Sequence, residues 1–70
     1  MKEYVANNVY ELRKEKGITQ EEFAGIIGVS RQTVIAIEKG NYIPSLLLAM
    51  KIAKYFAKRV EEVFMHKYEK

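Results

Sequence analysis

The sequence predicts an all-α fold made of five short helices in a single domain. Apolar residues recur at spacings of three and four, β-branched residues are scattered rather than alternating, and no hairpin turn pair is found. Glycines and capping residues interrupt the chain at short intervals, which favours short helices. Seventy residues suffice for one domain only. We therefore expect residues 1–70 to form one unit, in which residues 65–70 are a tail that is frayed or ordered by a partner.

The first helix is expected over about residues 5–16. Val5, Val9 and Leu12 share one face at helical spacing, and the lysines near the end suit the negative pole of the helix dipole. Gly17 follows, and glycine readily takes the left-handed conformation that ends a helix.

The second helix starts at a capping box in the stretch TQEE. Thr19 can accept a hydrogen bond from a first-turn amide, while Glu22 reaches back to the amide of Thr19. Phe23, Ala24 and Ile27 then form one apolar face. This pattern predicts a helix that packs on its neighbours through that face.

The third helix follows after a link of three residues, GVS. Gly28 ends the second helix and Ser30 caps the third, in which Val34 and Ile37 face inward before Gly40 ends it. A link this short holds the two helices at a steep angle. The arrangement is therefore that of a helix-turn-helix motif.

The fourth helix follows a loop and a capping Ser45, and a fifth is expected over about residues 60–64. The apolar positions of the fourth helix are Leu46, Ala49, Met50, Ala53 and Phe56. Between the two helices, residues 57–59 (AKR) offer neither a glycine stop nor a capping side chain. The helices are therefore either joined differently or continuous, and their boundary near residues 57–60 stays open.

Positive charge is concentrated in the segment that contains the third and fourth helices. Residues 28–59 hold six basic residues and one acidic residue, a net charge of +5, whereas the rest of the chain carries −2. This distribution favours a polyanionic partner. The other interpretation is a solvated surface with a chance asymmetry.

The start of the third helix is polar in a way that suits DNA. In a helix-turn-helix the second helix enters the major groove, and its first residues meet base edges. Arg31 can pair with guanine, Gln32 with adenine, and Thr33 can offer a methyl group to thymine. Polar residues at a helix start are often merely solvated, but the short link, the preceding helix and the basic segment favour groove binding.

The stretch TQEEFAGIIGVSRQTVIAIEKGNYIPS resembles the helix-turn-helix repressors of the lambda-repressor and Cro type, the xenobiotic-response-element family. The resemblance covers about residues 9–64. It implies a five-helix lambda-repressor-like DNA-binding domain in which helices 2 and 3 form the helix-turn-helix. The implied function is a cytoplasmic, sequence-specific transcriptional regulator, a repressor that binds double-stranded DNA as a homodimer on a palindromic operator.

Candidate site residues follow from the chemistry and the resemblance together. The candidate base-reading residues are Ser30, Arg31, Gln32, Thr33 and Ala36. The candidate contacts to the DNA backbone are Thr19, Gln20, Lys39, Asn41 and Tyr42. The resemblance also implies a partly buried salt bridge between Arg13 and Glu38. This pair has an independent reason, because Glu38 is the only acid in the basic segment and would repel phosphate if it were free.

Some apolar residues depart from the family pattern. Ile35 stands where a polar residue is common, and it either touches a thymine methyl group or leans on the core. Leu47 lies within a run of apolar residues that cannot all face one core, so the surplus forms an interface or an overpacked core. The candidate dimer-interface residues are Leu47, Val60, Val63, Phe64, Met65 and Tyr68. The other interpretation is that the C-terminal residues among them pack back onto helices 1 and 4.

Several function classes lack support in the sequence. The chain has no cysteine and a single histidine, His66, so we expect no transition-metal site. No nucleophile elbow, phosphate loop or dinucleotide motif is found, so we expect neither an enzyme nor a cofactor. No apolar run approaches the roughly 20 residues of a membrane span. The alternative function is a protein-interaction adaptor or an antitoxin component that uses the same fold to bind a partner protein.

Overall fold

The structure is a computed structural model that describes residues 2–70. Within that range the chain forms five α-helices flanked by two β-strands. In chain order these are β1 (Lys2–Asn7), α1 (Val9–Lys16), α2 (Gln20–Ile27), α3 (Arg31–Glu38), α4 (Leu46–Tyr55), α5 (Val60–Val63) and β2 (Phe64–Glu69). None of these helices is long and apolar enough to cross a membrane.

The prediction of an all-α fold is wrong, because the two ends of the chain pair as an antiparallel β-ribbon. The register runs from Lys2 opposite Glu69 to Asn7 opposite Phe64. The paired residues lie at opposite ends of the sequence, so no local turn signals the pairing. Of the residues expected to form a tail, 65–69 belong instead to β2.

The first helix begins at Val9 rather than at Val5 because an asparagine interrupts the chain. The Oδ1 atom of Asn7 accepts a hydrogen bond from the amide of Val9 at 3.0 Å, a local turn that competes with helix formation. Val5 therefore lies in β1, opposite His66. The amide of Asn8 donates to the carbonyl of Val63 at 3.1 Å, which ties the ribbon to the helices at its base.

The helices enclose one apolar core to which every helix contributes. Phe23 lies near its centre, with its ring centroid 5.3 Å from that of Phe56 and 5.7 Å from that of Tyr55. The buried core residues are Val9, Leu12, Phe23, Ala24, Ile27, Val34, Ile37, Leu48, Ile52, Ala53, Phe56 and Val63. The inward positions expected on helices 2 and 3 are all among them.

Helices α4 and α5 are separate, and Ala57 provides the stop that the sequence lacks. Ala57 adopts φ 57°, a left-handed conformation that residues other than glycine rarely take. Its amide donates to Lys54 at 3.0 Å, and the amide of Lys58 donates to Ala53 at 2.9 Å. These two bonds form a Schellman motif, in which alanine occupies the usual glycine position.

At the start of the short α5 helix, the capping hydrogen bond involves a side chain within the helix rather than the side chain of the preceding residue. Glu62 accepts a hydrogen bond from the amide of Arg59 at 2.8 Å. This bond lowers the pKa of the Glu62 carboxyl from its ordinary value of 4.5, because it stabilises the ionised form. A glutamate three residues into the helix thus replaces the missing cap.

The C-terminal candidates for a dimer interface are mostly occupied by the fold itself. Val63 is fully buried, so its assignment to an interface is wrong. Val60 and Phe64 also pack against the core, while Met65 is half-buried and Tyr68 is exposed on the ribbon. Helix α5 is so short that its inward face must fill the end of the core.

Candidate nucleic-acid interface

Helices α2 and α3 form a compact pair around a tight link. Gly28 adopts φ 76°, and the amides of Gly28 and Val29 both donate to the carbonyl of Ala24 at 2.9 and 3.0 Å. This geometry ends α2 and redirects the chain within three residues. The ammonium group of Lys51 on α4 lies beside the link, 3.4 Å from where a Cβ would stand on Gly28.

Both helices start with a side-chain cap, as the sequence predicts. The amide of Glu22 donates to Thr19 Oγ1 at 3.0 Å, and the amide of Thr19 donates to Glu22 Oε1 at 2.8 Å. At α3, Ser30 Oγ accepts from the amide of Thr33 at 3.2 Å and lies 3.0 Å from its hydroxyl. The two hydroxyl groups at the start of α3 therefore already serve the helix.

The first turn of α3 presents two long polar side chains to solvent. Arg31 and Gln32 are exposed, and within residues 2–70 neither side chain has a hydrogen-bond or ion-pair partner. Thr33 and Ala36 are half-buried. Because the opposite face of α3 is anchored in the core, these side chains project from a fixed surface.

The exposure of Ile35 is compatible with both roles predicted for it, a contact to a thymine methyl group and a contact to the core. Ile35 is half-buried, whereas its neighbours Val34 and Ile37 are fully buried. Its side chain therefore contacts the protein and retains some exposed surface.

A buried ion pair fixes the end of α3 to α1. Arg13 Nε and Nη2 donate to the two carboxylate oxygens of Glu38 at 2.6 and 3.2 Å, and Nη1 donates to the carbonyl of Ile18 at 2.8 Å. The side chains are only 8% and 5% exposed. The hydrogen bond to Glu38 raises the pKa of Arg13, although burial opposes this effect, so the guanidinium stays charged.

Gln20 joins this pair from the start of α2. Its Nε2 atom donates to Glu38 Oε1 at 3.1 Å, and its side chain is half-buried. Three helices thus converge on one carboxylate. Glu38 consequently contributes little free negative charge to the surface that Arg31 occupies.

The flank after α3 is exposed and polar. Lys39 ends the helix, and Asn41 and Tyr42 lie in the loop that follows, all three with exposed side chains. Gly40 adopts φ 79°, and the amide of Asn41 donates to Ala36 at 2.9 Å. The structure therefore places these backbone-contact candidates next to one another beside the C-terminal end of α3.

One positioning residue has no counterpart in the sequence predictions. Asn7 Nδ2, on β1, donates to the carbonyl of Ile37 at 2.9 Å and so satisfies an acceptor in the last turn of α3. Asparagine before an apolar helix signals a turn, but nothing local in the sequence indicates that it also reaches the third helix. The ribbon thereby touches the end of α3.

The described residues also form no candidate metal site. No group of three or more histidine, cysteine, aspartate or glutamate side chains within residues 2–70 is placed to hold a metal ion.

Comparison with known proteins gives consistent matches over this region. A family model described as helix-turn-helix (HTH_3) matches residues 9–63. The chain is 57% identical over 58 residues to an uncharacterized HTH-type transcriptional regulator, YgzD, of Bacillus subtilis (strain 168), an alignment that covers 83% of this chain and 88% of that protein.

A repressor and a solved structure are also similar. The chain is 36% identical over 58 residues to the cryptic phage CTXphi transcriptional repressor RstR of Vibrio cholerae, covering 83% of this chain and 52% of the repressor. The crystal structure of the restriction-modification controller protein C.AhdI from Aeromonas hydrophila has a TM-score of 0.69 and 33% identity, covering 77% of this chain and 78% of that one.

Proposed function

Because this chain belongs to the helix-turn-helix family of DNA-binding transcriptional regulators, we propose that it is a repressor that binds a palindromic operator as a homodimer. The observation that carries the proposal is the exposure of Arg31 and Gln32 at the start of a helix that is fixed at both ends. The proposal includes no catalytic activity and no cofactor, and it places the protein in the cytoplasm with its DNA.

Direct base contacts are assigned to the first turn of α3. The Arg31 guanidinium can donate two parallel hydrogen bonds to guanine, and the Gln32 amide can donate to and accept from adenine. Ser30 caps the helix and its hydroxyl group lies 3.0 Å from that of Thr33, so we assign both residues a positioning role together with a shorter-range contact. Ala36 lies one turn further on the same helix, where its small side chain allows α3 to approach the bases closely.

Contacts to phosphate are assigned to the two flanks of α3. On one side the start of α2 offers the backbone amide of Gln20 and the hydroxyl group of Thr19, since the amide of Thr19 already donates to Glu22. On the other side Lys39, Asn41 and Tyr42 offer exposed donors. Phosphate contacts supply affinity that falls steeply with salt, whereas base contacts supply discrimination.

Dimerisation is assigned to an apolar patch formed by Ile43, Leu46 and Leu47. These side chains are 65%, 72% and 71% exposed, while the adjacent Leu48 is buried. Clustered exposed apolar side chains are typical of protein interfaces. Because the patch begins in the loop after α3, a twofold axis near it would relate two α3 helices and set them on half-sites about one DNA turn, ~34 Å, apart.

Repression follows from occupancy of the operator. A dimer on a promoter would exclude the polymerase from the same DNA without needing a second domain. The similarity to the phage repressor RstR supports this sign of regulation.

The experiment that tests the proposal is selection of bound fragments from a random duplex pool. We expect an enriched sequence with twofold symmetry and a half-site spacing of about one helical turn. In parallel, Leu47→Glu should convert the dimer to a monomer in sedimentation, whereas Tyr68→Glu, at another exposed apolar position on the ribbon, should not. Enrichment of no sequence above the input pool would contradict the proposal.

A further inference from the structure

A groove with cationic edges lies on the side of α4 that continues into α5. It is open to solvent, has a volume of about 530 Å³, and is lined by Met50, Lys51, Ala53, Lys54, Ala57, Lys58, Arg59 and Val60. We call it the basic groove. None of the residues assigned to DNA contact or to the apolar patch lines it.

The floor of the basic groove is apolar and spans the junction of two helices. Met50 and Ala53 come from α4, Ala57 holds the left-handed turn after it, and Val60 begins α5. Met50 is 53% exposed at one end, and Val60 is half-buried at the other. Ala53 is buried at the bottom of the groove and Ala57 is exposed at its side, and these small side chains leave space for the apolar side chains of an occupant.

The rim of the groove is uniformly positive. Lys51, Lys54, Lys58 and Arg59 are all exposed, and no acidic residue lines the groove. Within residues 2–70 only Arg59 among them has an ion pair, an exposed contact of 3.7 Å to Glu62. An occupant of this groove must therefore supply negative charge.

The rim charge argues against a second copy of this chain as the occupant. A twofold contact through the groove would bring two sets of four cations together, because an isologous interface places the same surface on both sides. The acids nearest in sequence, Glu61 and Glu62, are fewer than the cations, and Glu62 already accepts from the amide of Arg59. Like charges brought together at an interface cost affinity.

We propose that the basic groove binds an acidic amphipathic helix of a partner protein. Apolar side chains of that helix would fill the space over Ala53 and Ala57, and its acidic side chains would meet Lys54 and Lys58. The proposal does not depend on DNA binding, because Arg31 and Gln32 lie outside the groove. It gives the protein a second partner surface, which adjoins the apolar patch at Met50, one helical turn from Leu46 and Leu47.

The test uses a synthetic helical peptide of about 15 residues, long enough to be partly helical alone. The peptide carries leucines at spacings of three and four with glutamates on both flanks, and its binding to the full chain is followed by fluorescence anisotropy. We expect the double variant Lys54→Glu/Lys58→Glu to weaken binding at least about tenfold. The matched variant Lys67→Glu/Lys70→Glu, with the same charge change on β2 and at the residue that follows it, should bind as the parent does.

Further arms separate the sources of binding. A peptide with lysines in place of the glutamates should bind the Lys54→Glu/Lys58→Glu variant and not the parent, and Arg31→Ala should leave binding of the acidic peptide unchanged. A scrambled acidic peptide that binds equally well would overturn the proposal, because charge alone would then suffice. Absence of peptide binding, with Lys54→Glu/Lys58→Glu changing self-association instead, would also overturn it and assign the groove to a second copy.

Discussion

The two ends of helix α3 are fixed much more firmly than the two ends of the chain. Helix α3 is capped at Ser30, anchored through Val34 and Ile37, and fixed at Glu38 by a buried ion pair. The β-ribbon is joined at its base, but its outer residues are exposed on both faces. The groups that fix α3 therefore face the protein, and the outer face of its first turn stays exposed.

The same contrast appears in how helices end. Helix α3 ends in a Schellman motif with Gly40 at φ 79°, and α4 ends in the same motif with Ala57 at φ 57°. The end of α3 therefore has the residue type that suits the left-handed conformation, whereas the end of α4 carries backbone strain. We expect substitutions that loosen α3 to lower the free energy of unfolding more than substitutions near the chain ends.

The largest effect should come from removing the carboxylate that three helices share. Glu38→Ala leaves the buried Arg13 guanidinium without its partner, and we expect a loss of about 3–5 kcal/mol in the free energy of unfolding. Urea titration followed by circular dichroism measures it, with the exposed Glu15→Ala as a control. Equal melting temperatures for Glu38→Ala and its parent would mean that α3 is held no more firmly than the ribbon.

The two Schellman motifs allow a matched exchange. Ala57→Gly relieves a left-handed alanine, which costs about 1–2 kcal/mol, but adds freedom to the unfolded chain, so we expect a net gain of about 0.5–1 kcal/mol. Gly40→Ala introduces the same strain and should lose a similar amount. Thermal unfolding of both variants checks the pair, and a destabilised Ala57→Gly protein would show that the alanine methyl group has a packing role instead.

A smaller effect is expected for the polar pair at the outer part of the ribbon. His66 Nε2 lies 2.6 Å from Glu3 Oε1, but the side chains are 57% and 65% exposed. Removing either partner should cost less than about 1 kcal/mol, the usual range for exposed pairs. A double-mutant cycle with His66→Ala and Glu3→Ala measures the coupling. A loss as large as that of Glu38→Ala would mean that the ribbon is integral to the fold.

The smallest effect on stability should come from removing the Glu62 cap of α5, and this effect should depend on pH. Because the folded-state pKa of Glu62 is lowered from 4.5, its contribution is present above that pH and is lost as the pH falls below it. Glu62→Ala should therefore lower the melting temperature slightly near neutral pH, and the gap to the parent should close in acid. Glu61→Ala serves as the control, and a gap that is constant with pH would contradict the capping role.

The features that sequence could predict are those encoded by neighbouring residues. The Thr19 and Ser30 caps, the glycine stop at Gly28 and the inward positions of α2 and α3 depend on residues within one or two turns, and each is found in the structure. The pair of Arg13 and Glu38 is not local, and only the family resemblance and the charge argument pointed to it. The structure contains that pair.

The features that sequence could not predict depend on distant parts of the chain. Residues 2–7 and 64–69 are strands only because each lies beside the other, and an isolated segment of either carries no hairpin signal. Ala57 takes a glycine-like conformation that its residue type disfavours, so the boundary of α4 was not readable. The burial of Val63 likewise depends on how α5 closes the core.

The decisive experiment measures the binding of the parent and of Arg31→Ala to every single-base variant of the selected operator. We expect Arg31→Ala to lose about 1–3 kcal/mol of discrimination at one base pair per half-site and to keep the preferences elsewhere. Lys39→Ala, on the flank, should weaken binding to all sequences alike. If Arg31→Ala also weakened all sequences equally, its side chain would contact phosphate, and the assignment of α3 as the base-reading helix would be contradicted.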